Sequence, residues 1–225
     1  MDEWTHERHQ MVADQIQPRN IHDQRVLSAM ARVPRHLFVP PNLRIHAYDD
    51  GALPIAEGQT ISQPYIVALM AAALLLHGAE RVLEIGTGSG YAAAILATLA
   101  ADVITIERHQ PLAQTAAQLL DQLGYTNITV VEGDGSLGWP AAAPYDAISV
   151  PAGAPDVPPV LLKQLADGGR LVIPVGPSEE QRLLRFVRQG AQFSRDDLGP
   201  VRFVPLIGAA GWSHHHHSAQ HDSRG

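Results

Sequence analysis

Cysteine is absent from the 225 residues, which excludes disulfides, thiolate nucleophiles and cysteine-ligated zinc. A cytoplasmic setting is the default, although an oxidising compartment fits the absence equally well. Lysine is nearly missing: Lys163 is the only one, in the short surface-helix pattern Val160-Leu161-Leu162-Lys163-Gln164-Leu165, so a Schiff-base lysine is not expected. No apolar run reaches the roughly 18 residues of a membrane span. The acidic start Met1-Asp2-Glu3-Trp4-Thr5-His6 lacks the basic and apolar segments of a signal peptide. A soluble chain without membrane association is expected. Positive charge is also scarce, with 16 basic residues against 23 acidic ones and a formal charge of -7, so no broad electrostatic grip on nucleic acid is expected.

What is present suits a globular protein. Hydrophobic residues make up 45%, ordinary for a packed core, and the length permits one domain with additions. Five of the 12 histidines crowd into the end, at His214 to His217 and His221. That stretch has almost nothing to bury, so 213–225 reads as a disordered tail that would bind transition metals only adventitiously. No functional metal is expected.

From residue 80 onward strand and helix patterns alternate, the signature of a parallel sheet covered on both faces. Strands are expected at Val82 to Ile85, Val103 to Ile106, Ile128 to Val131, Tyr145 to Val150 and Arg170 to Val175, with the helix before the last ending at Gly168-Gly169. Pro111 opens a helix that Gly124 closes. Two further runs, Arg182 to Arg188 and Val201 to Ile207, read as antiparallel edge strands joined by a polar loop. Before the sheet, helices are expected at Glu7 to Gln17, Asp23 to Ala31 and about Pro64 to Leu76. The organisation is an α/β unit with a mostly parallel sheet over 79–212, a helical N-terminal segment over 1–78 belonging to the same unit, and the tail.

The most informative segment is Val82-Leu83-Glu84-Ile85-Gly86-Thr87-Gly88-Ser89-Gly90-Tyr91, a buried strand running into a glycine loop and then an alanine-rich helix. Gly86, Gly88 and Gly90 allow a sharp turn and close approach to a ligand. Their spacing is G-x-G-x-G, not the G-x-G-x-x-G of dinucleotide enzymes. Glu84 beside the turn suits an ammonium group better than a phosphate, which favours S-adenosylmethionine, with its ammonium and sulfonium. A plain tight connection is the alternative.

Glu107 closes the second strand about 20 residues beyond the loop, where such sheets place an acid to accept two ribose hydroxyls. Asp134, in Gly133-Asp134-Gly135, could accept from an adenine amino group, although an Asp-Gly turn explains it as well. His77 and His109 fall at helix ends, where exposure or C-terminal capping accounts for them, and no acid/base pair emerges. A carboxylate substrate would need none, because it is ionised at neutral pH with a pKa of roughly 3.5–4. In-line orientation would then carry the reaction. Ahead of the sheet, Gly58-Gln59-Thr60-Ile61-Ser62-Gln63-Pro64-Tyr65 sets hydroxyls before a helix. Ser62 is a candidate cap for it, or a donor to a substrate carboxylate at its N-terminus.

Together, the segment around Ser62, the glycine loop, Gly133-Asp134-Gly135 and Arg202-Phe203-Val204-Pro205-Leu206 resemble the protein-L-isoaspartate O-methyltransferases. Ala31-Arg32-Val33-Pro34-Arg35, Phe38-Val39-Pro40 and Gly168 to Gly176 extend the resemblance from about Met11 to Trp212. It implies a Rossmann-like methyltransferase fold with a seven-stranded, mostly parallel sheet. It implies transfer of a methyl group from S-adenosylmethionine, leaving S-adenosylhomocysteine, to the free α-carboxylate of L-isoaspartyl residues in damaged proteins and, more weakly, to D-aspartyl ones. The ester then cyclises to a succinimide that hydrolyses partly to normal aspartate. The resemblance places Ser62 at the active-site serine, Gly86, Gly88, Glu107, Asp134 and Gly135 on the methyl donor, and Thr60, Ile61 and Val204 near the substrate. With Glu84 and Gly90 from the loop itself, these are the expected site residues. A monomer in the cytoplasm is the expected form.

One departure stands out. Where the family commonly has Thr-Ala or Gly-Ala after the fourth strand, Val150 is followed by Pro151-Ala152-Gly153, and Pro151 has no backbone N–H to offer a ligand. Two alternatives share the fold: a small-molecule methyltransferase, and a non-catalytic module that binds isoaspartyl segments.

Overall fold

The computed structural model describes residues 4–213, so the histidines from His214 onward lie outside the described residues. Helix α1 (Thr5–Gln10) runs on as a π-helix through Met11–Ile16. Helix α2 (Gln24–Arg32) starts at Asp23, whose carboxylate accepts from the Arg25 and Val26 amides at 2.8 and 3.4 Å and so satisfies donors the first turn leaves free. Short strands β1 (Leu53–Pro54) and β2 (Thr60–Ile61) pair antiparallel and lead into α3 (Pro64–Ala73), with Pro64 in its first turn.

The sheet domain follows as β3 (Arg81–Ile85), α4 (Tyr91–Ala97), β4 (Asp102–Glu107), α5 (Gln110–Gln122), β5 (Ile128–Glu132), β6 (Tyr145–Ser149), α6 (Pro159–Lys163), β7 (Leu165–Val175), β8 (Gln181–Gln189) and β9 (Gln192–Val201). Its seven strands lie in the order β5-β4-β3-β6-β7-β8-β9. The first five are parallel, and β8 and β9 are added antiparallel at one edge. Between β3 and its neighbours β4 and β6 the sequence order reverses, which opens a crevice at the strand C-termini.

Alternation along the strands sends side chains to two cores. Val82, Val103 and Ala147 join Met11, Ile16, Met30 and Phe38 of the N-terminal segment on one side, while Leu83, Ile85, Ile104 and Ile148 pack on the other. The N-terminal helices thus share a core with the sheet.

Two details differ from the sequence reading. The last strand is Gln192–Val201, not Val201 to Ile207. Most of β9 is exposed on both faces, as an edge strand can be, so it carries no apolar alternation. In turn, Val201 to Ile207 is apolar because it packs as an irregular stretch against the site. Gly168-Gly169 do not end a helix; α6 stops at Lys163, and the two glycines lie within β7 beside a register shift between Tyr145 and Ala147.

Arg35 is fully buried. Its guanidinium lies 4.9 Å from the Tyr91 ring centroid and its Nε donates to the Ala47 carbonyl at 2.7 Å, but among the described residues both terminal nitrogens lack hydrogen-bond partners. Burial pulls its pKa down to about 10, against the pull of Tyr91 and Tyr48. Arg35→Ala is expected to lower stability by about 3 kcal/mol through the void it leaves. Arg35→Met should restore most of that, since it refills the volume without unpartnered donors. Urea denaturation midpoints measure both; a methionine variant as unstable as the alanine one would assign the role to charge instead of bulk.

Candidate active site

After β3 the chain makes a loop in which Gly86, Gly88 and Gly90 take φ of 104°, 53° and 86°, a region L side chains rarely enter. Two short hydrogen bonds from the Gly86 and Thr87 amides to the Ile106 carbonyl, 2.8 and 3.2 Å, tie the loop to β4. The carboxylate of Glu107, at the end of β4, accepts from the Gly88 amide at 2.9 Å and from the His109 amide at 2.9 Å, one on each oxygen. Each oxygen keeps acceptor capacity for a further donor.

These groups open onto a cavity of about 420 Å³, within the usual range for small-molecule sites. Of the expected site residues, Thr60, Ile61, Ser62, Gly86, Gly88, Glu107, Gly135 and Val204 line this one cavity. Gly135 must be small there: a Cβ would sit 2.6 Å from Ile85 Cγ2.

Ser62 is not the cap its position suggested. Gln63 occupies the N-cap of α3 and makes no side-chain bond to it. Among the described residues the Ser62 hydroxyl has no hydrogen-bond partner and faces the cavity, so it is available to a ligand. Behind it lies a recess of about 20 Å³ bordered by Ser149 and Pro151. Pro151 also forms part of the main wall, where it offers no donor.

Three expected residues lie elsewhere. Gly90 does not line the cavity; it opens α4, where a Cβ would press within 3.4 Å of Ala116 and Leu120, so its role is to turn the chain and admit α5. Asp134 is the cap of the turn Gly135–Leu137. Its Oδ1 accepts from the Ser136 amide (2.9 Å) and hydroxyl (2.7 Å), and its Oδ2 from the Ala209 amide at 2.8 Å. Burial alone would raise its pKa, but the Ala209 and Ser136 donors outweigh this and hold it below the ordinary carboxylate value. It borders a separate smaller recess with Arg108, Glu132 and Gly208.

Glu84 departs furthest from expectation. Standing two residues beyond Val82, it points to the same face of β3, where its register partner is Thr105. It is fully buried beneath the loop and outside the cavity wall. Thr105 Oγ1 donates to Glu84 Oε2 at 2.6 Å and Thr87 Oγ1 lies 2.7 Å from Thr105 Oγ1, while among the described residues Glu84 Oε1 has no hydrogen-bond partner. Burial pushes the carboxyl up to about 8; the Thr105 bond opposes this and the Glu107 charge adds to it. The folded chain therefore keeps a proton that the unfolded chain releases near pH 4.5, and stability falls as pH rises from about 4.5 to 8. Glu84→Gln is expected to flatten this, so that Tm falls less between about pH 6 and about pH 8.5 than in the parent. Equal slopes in thermal melts would contradict the assignment.

Several wall residues were not anticipated. His109 sits at the N-terminus of α5, not a C-terminus, with its ring 3.7 Å from the Glu57 carboxylate across the cavity rim. Thr87, Arg108 and Pro205 to Ile207 also contribute. Their signal in sequence is only adjacency to Gly86, Glu107 and Val204. Among the described residues no group of three His, Asp or Glu side chains is placed to hold a metal ion, and no helix is long and apolar enough to cross a membrane.

Residues 6–211 match the family model described as protein-L-isoaspartate(D-aspartate) O-methyltransferase. The chain belongs to this family. The Herpetosiphon aurantiacus protein-L-isoaspartate O-methyltransferase is 60% identical over 213 residues, covering 95% of each chain. The Methanoculleus marisnigri protein-L-isoaspartate O-methyltransferase is 55% identical over 206 residues, covering 92% of this chain and 94% of the relative. A solved protein-L-isoaspartate O-methyltransferase superposes with a TM-score of 0.80 at 28% identity, over 92% of this chain and 67% of that one. A Plasmodium falciparum structure assigned to the same family, in complex with S-adenosyl-L-homocysteine, gives a TM-score of 0.77 at 25% identity over 89% and 98% of the two chains. The Ser62 segment and the glycine loop, 24 positions apart in sequence, face one cavity.

Proposed function

We propose that this cavity transfers the methyl group of S-adenosylmethionine to the free α-carboxylate of an L-isoaspartyl residue in a damaged protein and, more weakly, to a D-aspartyl side chain. The observation that carries the reading is the unpartnered Ser62 hydroxyl in the same cavity as the glycine loop and the Glu107 carboxylate. S-adenosylmethionine would supply a sulfonium methyl open to in-line attack by a carboxylate oxygen, the O–C bond forming as the S–C bond breaks and S-adenosylhomocysteine leaving as the neutral thioether.

The chain's own residues fit that donor. Glu107, held rigid by two backbone amides, offers its spare lone pairs to the two ribose hydroxyls. The glycine loop admits the donor close to the backbone, and Gly135 lets the next turn pack against Ile85 at the cavity wall, where a Cβ would clash. Asp134 serves the donor site by fixing the turn that carries Gly135. Thr60, Ile61 and Val204 border the substrate, and Ser62 donates to its carboxylate and orients it. Nothing needs to remove a proton, and among the described residues no base is hydrogen-bonded to the Ser62 hydroxyl to activate it as a nucleophile. Orientation in a partly dry site supplies the acceleration. Action as a monomer in a cytoplasmic setting belongs to the same reading.

The test pairs two peptides that differ only in an isoaspartyl or aspartyl linkage, with labelled S-adenosylmethionine, and counts base-labile methyl ester. Labelling confined to the isoaspartyl peptide is expected. Equal labelling of both, or of neither, would sink the proposal.

A further inference from the structure

Val204 to Ile207 form part of the cavity wall, yet this stretch belongs to no strand: β9 ends at Val201, and only isolated bridges, Gly153 with Pro205 and Ile207 with Trp212, follow. Hydrogen bonds outside any regular ladder therefore fix its position. One side chain contributes at its entrance: Gln181, the first residue of β8, which is 2% exposed. Its Oε1 accepts from the Phe203 amide at 2.7 Å and its Nε2 donates to the Phe203 carbonyl at 3.2 Å. A carboxamide sets a donor and an acceptor side by side, so it can stand in for the edge of a strand, and neither a carboxylate nor an aliphatic side chain can.

Gly153 completes the arrangement. Its amide donates to the Val204 carbonyl and its carbonyl accepts from the Leu206 amide, each at 2.8 Å. A Cβ at Gly153 would collide with the Gln181 carboxamide. The two residues are thus interlocked: Gln181 holds Phe203, Gly153 holds Val204 and Leu206, and the absent side chain of one makes room for the other. Trp212 Nε1 donates to the same Gly153 carbonyl at 3.0 Å.

We propose that Gln181 is a positioning residue for the substrate: by fixing Phe203 it sets Val204 at the depth where an isoaspartyl segment binds, without touching the reacting atoms. This rests on the reading of the cavity given above. Glu107 and the glycine loop receive none of these hydrogen bonds, so donor affinity should be insulated from the clamp.

The test uses the full chain with Gln181→Met, Gly153→Ala and the double variant. Each is assayed for peptide KM and kcat, for S-adenosylhomocysteine affinity by calorimetry, and for Tm. Each single variant is expected to raise peptide KM roughly tenfold, the loss of about one net buried hydrogen bond, with kcat and donor affinity changed by less than about twofold. Because both break one clamp, the double variant should be no worse than the worse single. An unchanged KM, additive penalties, or a KM that rises only together with lost donor affinity and lowered Tm would overturn the proposal. A parent chain that does not favour the isoaspartyl peptide would instead overturn the functional reading, so the two failures are distinguishable.

Discussion

Replacing Ser62 with alanine is expected to lower kcat on an isoaspartyl peptide by roughly 10²-fold, the scale seen when one positioned donor is removed from a reacting oxygen. Affinity for S-adenosylhomocysteine should stay within about twofold. The asymmetry follows from the structure. The hydroxyl makes no hydrogen bond to the rest of the described protein, so its removal leaves no buried partner stranded and α3 loses no cap. Stability should therefore hold, and the loss should appear where the substrate carboxylate needs aligning. Single-turnover rates beside calorimetric titration of the donor product separate the two effects. A parallel drop in donor binding would make Ser62 a structural residue after all.

Glu107→Ala is expected to behave in the opposite way, with donor affinity falling by roughly 10²-fold or more, since two charge-assisted hydrogen bonds are lost at about 1.5 kcal/mol or more each. The carboxylate also braces the site before any ligand arrives, through the Gly88 and His109 amides. Glu107→Gln is the sharper probe: it keeps the shape, but its NH₂ must face one of those two amide donors. It should lose most of the affinity as well, and calorimetry with S-adenosylhomocysteine decides it. Near-normal binding by the glutamine variant would mean that charge and backbone bracing at Glu107 matter little.

How much of this was legible in the sequence depends on what each residue answers to. The central strands β3, β4 and β6 could be read because burial on both faces makes them largely apolar, and the glycine loop because its backbone geometry tolerates little else. β9 was misplaced because a strand exposed on both sides is under no such demand, and its polar run looks like a loop. The place of Glu107 in the cavity wall is legible from its distance to the loop. Glu84 was misjudged although it is adjacent to the loop: the period of two along β3 turns it inward, toward Thr105, and nothing in the one-dimensional pattern says which face the ligand takes. Ser62 could be read two ways until the structure set Gln63 at the cap. Gln181 gave no signal at all, because its partner Phe203 is chosen by the path of an irregular stretch.

The wall of the cavity draws on residues from Gly58 through to Ile207. During synthesis, then, the glycine loop, Glu107 and Ser62 leave the ribosome long before Val204 to Ile207 can seal the site beside them. A growing chain would carry the proposed donor-binding groups and still lack the wall that Val204 to Ile207 supply. The enzyme can act on other damaged proteins only once its own last wall has been made, and a fragment ending before that wall should be folded in part yet idle.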